Sequence, residues 1–215
     1  ADARAKGAKM VVMDPRLSNS AGMADLWIAA WPGTEPAIYL YLTQRILNEN
    51  KVDKSFVKKW INWEVFLDNK KYLEFMVSKG YISKVPSGDD FDTFLAVLKE
   101  LYSPYTLDFA VKETHVPAYK LEALYDMFIW AGESISTYFW RASAAGNRGG
   151  WMGGRTGYFA LALRGGIGTE GGTFFHHWHV ISVSGKGGSS TVGQGMRGEN
   201  IAKVDVYNEL TYPPE

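Results

Sequence analysis

Apolar positions along this chain follow two rhythms. Residues 9–13 (Lys-Met-Val-Val-Met) and 26–30 (Leu-Trp-Ile-Ala-Ala) are short apolar runs without alternation, the pattern of strands buried on both faces of a parallel sheet. Between and after them the spacing is helical. Residues 2–7 read as a helix ended by Gly7, and 17–24 as a loop holding one helical turn. Thr34 is an N-cap, with Glu35 and Pro36 in the first turn of a helix reaching Asn48. Asp53 caps a helix over 54–60. A further helix over 64–77 carries Val65, Phe66, Tyr72, Leu73, Phe75 and Met76 at helical spacing.

Pro86 to Asp90 is a loop before a helix near 90–101, and Ser103-Pro104 opens another to Lys112. The pattern then restarts. Pro117 begins a helix that Gly132 ends, Ser134–Trp140 is a strand rich in β-branched and aromatic residues, and 152–164 is helical. Gly165 to Gly172 is too glycine-dense for regular structure. Residues 173–183 form a strand, and 184–200 an ordered loop. The fold class is therefore α/β, with partial Rossmann-like parallel sheets flanked by helices in two incomplete lobes, 1–112 and 113–215. A helix feeding the strand at residue 9 is the second half of a βαβ unit, so the segment reads as an internal piece of something longer. Cut at strand boundaries, it is expected to dissolve poorly and unfold with weak cooperativity.

Composition narrows the chemistry. The 215 residues hold 23 Lys plus Arg against 23 Asp plus Glu, which gives no basic footprint for nucleic acid and no polybasic membrane patch. Cysteine is absent, so disulfides, thiolate metal sites and Fe–S ligation by this segment are excluded. No apolar run reaches membrane-spanning length. Eight Trp, twelve Tyr and eleven Phe serve bulk packing, a pocket or a partner interface.

Both early strands lead into carboxylates: Asp14 in Asp14-Pro-Arg16, and Glu35 in Pro32-Gly33-Thr34-Glu35. Ligands of open α/β sheets bind outside the carboxyl ends of the strands. A carboxylate there accepts two parallel hydrogen bonds from ribose hydroxyls, or from the N1–H and N2–H₂ of guanine. The helix N-terminus at 34–37 adds N–H donors for an anion. The plainer reading is that both acids cap turns.

Other candidates are weaker. His176, His177 and His179 cluster, but no carboxylate or cysteine lies near at ligand spacing, so pocket lining or packing competes with a metal site. Arg141 and Arg148 follow a strand, where a pyrophosphate binds or where an exposed loop arginine sits. Ser184-Gly-Lys-Gly-Gly188 lacks the Walker spacing. His115 reads as a surface or interface residue.

Lys9-Met-Val-Val-Met-Asp-Pro-Arg16, followed by Trp27-Ile-Ala-Ala-Trp-Pro-Gly-Thr-Glu35 and a long helix, resembles the molybdopterin oxidoreductase (dimethyl sulfoxide reductase) family. That family runs "IDPR", then "RPGTD" and a helix. Glu113-Thr-His-Val-Pro-Ala-Tyr-Lys-Leu121 is similar to its "TGVPAEKI". Asn147, Arg155-Thr156 and Leu161 to Thr173 are similar to "N…RAI…LLTGNIGRPGGG". The resemblance implies two molybdopterin guanine dinucleotides holding one Mo or W ion. Asp14 would contact the guanosine, Arg16 a phosphate and Glu35 the guanine, with Gly33 and Thr34 of the same turn also among the cofactor-binding residues. Arg155 matches the helix-start arginine. Gly165, Gly166, Gly168, Gly171 and Gly172 match the loop that lets backbone approach the cofactor. Thr169 and Glu170 replace the usual "RP", which removes a phosphate-neutralising charge.

The family's Fe–S cysteines, metal-ligating side chain and C-terminal domain have no counterpart here; in the family they lie upstream and downstream. The resemblance therefore implies a fragment of a catalytic subunit, inactive alone. Its partners would be the remainder of that subunit and an iron–sulfur electron-transfer subunit, in the cytoplasm or periplasm of a prokaryote. Nucleic acid and direct membrane insertion are not expected. The alternatives are a structural or electron-relay relative whose pterin site is lost, and a stand-alone nucleotide-binding module.

Overall fold

The computed structural model describes residues 2–137 and 150–173. It opens with a short helix, α1 (Asp2–Ala5), which Gly7 ends in a left-handed conformation at φ +95°. Strand β1 (Val11–Met13) pairs in parallel with β2 (Leu26–Ile28), in the register Val11 to Leu26 and Met13 to Ile28. The connection between them carries a single helical turn, α2 (Asn19–Gly22), whose cap Ser18 accepts a hydrogen bond from the Ala21 N–H. The α/β class stands in this form. Among the described residues the sheet has two strands, each shorter than its apolar run.

Helix α3 (Glu35–Asn48) follows β2 and is the centre of the packing. Its buried face presents Ile38, Leu42, Ile46 and Leu47. Around it stand α4 (Lys54–Trp60), α5 (Trp63–Asp68), α6 (Lys70–Ser78), α7 (Phe91–Tyr102), α8 (Leu107–Thr114), α9 (Ala118–Trp130) and α10 (Gly150–Leu163). One core joins Ile28, Ile38 and Leu42 to Phe94 and Leu98 of α7, Leu121 and Phe128 of α9, and Leu161 of α10. It draws on both sides of residue 112, so within the described residues the packing does not divide there. A satellite cluster of Leu73, Met76, Ile82 and Val97 lies beneath α6.

Polar side chains decide where several helices begin. Asp53 accepts from the Phe56 N–H at 2.9 Å and Asp90 from the Thr93 N–H at 2.7 Å, as the sequence predicts for the first. The single helix expected over 64–77 is two helices. Asn69 ends α5, then accepts from the Tyr72 N–H to start α6, because an Asn side chain satisfies backbone donors that an uninterrupted helix would bond internally. Likewise α8 starts at Leu107 rather than at Pro104, because the Thr106 hydroxyl accepts from the Phe109 N–H. Ser134–Thr137 enters no strand ladder. Its chain is tied instead to Thr173, whose hydroxyl accepts from the Thr137 N–H at 3.1 Å and donates to the Ile135 carbonyl at 3.2 Å. Residues 138–140, the strand expected at 173–183 beyond Thr173, and the loop at 184–200 lie outside the described residues.

A polar link fastens α3 to α9. Arg45 donates to Glu49 at 2.7 Å and to the Tyr41 hydroxyl at 2.9 Å, lies over the Tyr125 ring at 4.0 Å, and Tyr125 donates to Glu49 at 2.8 Å. The Arg45 hydrogen bond leads in holding the Glu49 carboxyl below its usual range.

Two outcomes test this account. Leu42→Ala, at a fully buried site, should cost about 2–5 kcal/mol in urea unfolding. Asp53→Ala should cost about 1 kcal/mol. The Phe56 N–H, followed by the Ser55 hydroxyl, lowers the Asp53 pKa in the folded chain. Its contribution is therefore complete above the unfolded aspartate pKa and lost as pH falls through the folded value. Wild type and Asp53→Ala should converge in stability at acid pH.

Candidate functional site

Because β1 and β2 run parallel and in register, their carboxyl ends lie side by side. The Asp14 N–H donates to the Ile28 carbonyl at 3.1 Å and extends the ladder by one bond. Asp14 and the turn after β2 therefore leave the same edge of the sheet. The Asp14 Oδ1 accepts from the Arg16 N–H at 2.8 Å, closing a local turn. Its Oδ2 has no hydrogen-bond partner among the described residues. Arg16 is exposed and borders a shallow recess of about 470 Å³ with Leu17 to Ser20.

The second acid sits on a turn with unusual backbone geometry. Gly33 has φ +87°, a conformation that strains any residue with a Cβ. Its N–H donates to the Glu35 Oε2 at 2.8 Å. The Thr34 side chain does not cap α3 as the sequence suggests. Its hydroxyl donates backwards to the Trp31 carbonyl at 2.7 Å, because Thr34 itself has helical backbone angles and its oxygen does not reach the N–H groups ahead. The Glu35 Oε1 remains without a partner among the described residues. Each acid thus spends one oxygen on its own turn, as the capping reading has it, and leaves the other without a hydrogen-bond partner among the described residues.

Glu35 also stands at the rim of a cavity of about 1060 Å³ that runs along β1 and is walled opposite by Ser134–Thr137. Tyr39, one turn along α3, lies buried in its wall. Burial pushes its phenol pKa up, and its hydroxyl is hydrogen-bonded to Thr137. Asp14 does not line this space.

The glycine loop is explained mostly from within. Gly165, Gly168 and Gly171 have φ near +75°. A Cβ on Gly166 would lie 3.3 Å from the Glu133 carbonyl oxygen, and one on Gly172 2.8 Å from the Gly166 carbonyl oxygen. Gly166 and Gly172 therefore allow close approach of the chain to itself. Nothing lies within 4 Å of a Cβ built on Gly168, so its requirement is conformational and its surroundings are open. Arg155 is exposed on α10 and engaged in an interaction. Arg141, Arg148, the histidines at 176, 177 and 179, and Lys186 lie outside the described residues, among which no cluster of three or more metal-ligating side chains occurs. None of the described helices is long and apolar enough to cross a membrane.

Three residues beside these acids carry no signature in sequence. The Trp27 indole N–H donates to the Asp14 carbonyl at 2.8 Å and pins the Asp14 turn. Lys120 on α9 donates to the Trp27 carbonyl at 2.9 Å and lies 5.1 Å from the Trp27 ring centroid. His115 is in the left-handed conformation at the end of α8 and stacks on Trp31, with centroids 4.2 Å apart and planes 9° apart. The Trp31 N–H donates to the Thr114 carbonyl at 3.3 Å. The turn bearing Glu35 is therefore clamped to the end of α8, although Trp31 and His115 lie 84 residues apart along the chain. Nothing in the local pattern around His115 announces this partner.

No protein-family model matches the chain. It is similar to acetylene hydratase of Syntrophotalea acetylenica, 42% identical over 55 residues, which is 26% of this chain and 8% of that protein. It is also similar to a thiosulfate reductase molybdopterin-containing subunit of Salmonella typhimurium, 43% identical over 58 residues, 27% of this chain and 8% of that one. Among solved structures, acetylene hydratase from Pelobacter acetylenicus superposes with a TM-score of 0.54 and 26% identity over 76% of this chain and 18% of its own. The chain therefore spans less than a tenth of the two curated relatives.

Replacing Lys120 with Met keeps the stem and removes the donor. The Trp27 carbonyl then loses a charge-assisted partner, and Lys120→Met should destabilise the chain by about 1.5–3 kcal/mol in urea unfolding, against under about 0.5 kcal/mol for an exposed control such as Lys84→Met.

Proposed function

We propose, taking as premise that this chain is a segment of the molybdopterin oxidoreductase family, that it binds the guanine dinucleotide part of a molybdopterin cofactor within an oxidoreductase catalytic subunit. The observation that carries the reading is the shared edge. Asp14 directly follows β1 and the turn that leads from β2 carries Glu35, the two strands being parallel and in register, and each acid keeps a carboxylate oxygen free of partners among the described residues. That donor-poor, acceptor-rich edge fits the N1–H and N2–H₂ donors of guanine and the hydroxyls of ribose.

In this reading Glu35 accepts the guanine donors and Asp14 a ribose or base donor. Trp27 and the Trp31–His115 stack hold the two acids in place. Arg16 and Arg155 supply positive charge to the phosphates, with Arg141 assigned the same role from sequence. Gly33 and Gly168 set backbone shape, and Gly166 keeps its loop tight. When bound, the molybdopterin and its Mo or W ion supply two-electron chemistry, and the protein's share is position and electrostatics. The Fe–S cluster, the metal's protein ligand, an electron-transfer subunit and the division into cofactor-bearing lobes belong to the longer protein in this proposal.

Because each acid also closes its own turn, the same fold would survive in a relative that has lost the cofactor. Acid hydrolysis of the longer protein separates these readings: it should release GMP, and elemental analysis should find Mo or W. Neither GMP nor metal would overturn the enzyme reading. Asp14→Asn and Glu35→Gln should each lower retained GMP about 10-fold or more, the scale of one lost charge-assisted pair. Retention at wild-type level in both would remove these residues from the site.

A further inference from the structure

Thr173 closes the glycine loop and is buried, with 7% of its surface exposed. Its N–H donates to the Gly166 carbonyl at 2.8 Å, and its carbonyl accepts from the Gly168 N–H at 3.0 Å. Those bonds draw the loop together and leave Gly168 exposed, with open space about it. The Thr173 hydroxyl faces the other way. It donates to the Ile135 carbonyl and accepts from the Thr137 N–H. One residue of a parallel ladder bonds its neighbour in the same manner, to a carbonyl and to the N–H two residues on. Here a side chain takes the place of a strand.

Ser134–Thr137 is seated on the loop at further points. The Ser134 hydroxyl donates to the Glu170 carbonyl at 3.2 Å, and a Cβ on Gly171 would lie 3.1 Å from the Ser134 Cβ. At its other end the segment reaches α3. The Tyr39 hydroxyl is hydrogen-bonded to Thr137, and Tyr39 stands one turn after Glu35 on that helix. A continuous line of contacts therefore joins Gly168 to the acid-bearing turn, through Thr173, Thr137 and Tyr39. The start of the loop is fixed separately. Arg164 donates to the Lys51 and Ile129 carbonyls, and the Asp53 N–H donates to the Leu163 carbonyl at 2.7 Å.

We infer that Thr173 and Tyr39 are positioning residues of the proposed cofactor site: through Ser134–Thr137 they hold the glycine loop in a fixed relation to the Glu35 turn, so that both elements meet the cofactor in one geometry. This rests on the reading that Glu35 accepts the guanine donors. Neither hydroxyl touches a ligand in this account. Each holds the strap that the other also holds, Thr173 by the backbone of Ile135 and Thr137, Tyr39 by the Thr137 side of it. An arrangement fixed before the ligand arrives loses less entropy on binding. Loss of either hydroxyl leaves the loop and the turn folded but no longer in register with each other.

Three variants of the longer protein test this. Thr173→Val removes the hydroxyl and keeps the branched shape, Thr173→Ser keeps the hydroxyl, and Tyr39→Phe removes the phenol oxygen alone. GMP released by acid hydrolysis, per mole of folded protein, is measured beside the urea midpoint. Thr173→Val and Tyr39→Phe should each lower GMP about 3- to 10-fold, the scale of one lost hydrogen bond. Thr173→Ser should stay within about 2-fold of wild type. The Thr173→Val, Tyr39→Phe double variant should lose little more than either single one, because both cut the same strap. A shifted urea midpoint with wild-type GMP in both single variants would show a purely structural role and overturn the inference. Equal loss in Thr173→Ser, or losses that multiply in the double variant, would overturn it too. Should Thr173→Val not fold, Tyr39→Phe decides, and wild-type GMP in that variant sinks the proposal. A wild-type protein without GMP removes the Glu35 reading and this inference with it. Loss of GMP in Glu35→Gln, with none in Thr173→Val or Tyr39→Phe, removes this inference alone.

Discussion

The parallel pairing of Val11–Met13 with Leu26–Ile28 is the constraint on which the arrangement of this chain depends. Three residues on each side is little ladder, and an isolated pair of that size has marginal stability in water. It persists because Ile28 is fully buried against Ile38 and Leu42 of the helix that follows. Parallel strands require a crossover, and a parallel register sends both chains out at one edge. Asp14 and the Gly33–Glu35 turn share that edge for this reason alone.

Around the pair, polar contacts set geometry that apolar burial leaves loose. The Asp14 turn is held from within by its own carboxylate and from outside by the Trp27 indole. The Glu35 turn is held by the Gly33 N–H, by the Thr34 hydroxyl on Trp31, and by the stack of Trp31 on His115. Neither acid is a loose surface carboxylate. Fixed acceptors of this kind lose little entropy when a ligand's donors arrive, which is the benefit of preorganisation in binding. The opposite arrangement governs Arg45, whose donors are absorbed by Glu49 and Tyr41. That cation fastens α3 to α9 and has little left to offer a ligand.

Local chemistry was readable at several positions where a residue acts on its near neighbours. Asp53 caps α4, Gly7 ends α1, Gly132 turns left-handed after α9, and the long helix after Pro32-Gly33-Thr34 runs to Asn48. Periodicity failed at Asn69, and the Ser103-Pro104 start signal at Thr106, because a side-chain acceptor there takes the backbone donors that open the helix. It failed again at Ser134–Thr137. There a β-prone stretch finds no strand among the described residues and bonds to a threonine 36 residues away. Strand propensity expresses a fit to a pleated neighbour, and without that neighbour it specifies nothing.

What the sequence determined by itself was the list of acids, the turns that carry them and the apolar runs that precede them, because these depend on residues a few positions apart. The tertiary structure decided that Lys120 bonds to the Trp27 carbonyl on the outer side of β2 and that His115 supports the turn before Glu35. Those facts join residues 80 or more positions apart. A single chain records such contacts only in the way its helices pack, since burial and hydrogen bonding act on distance in space and leave no period along the sequence.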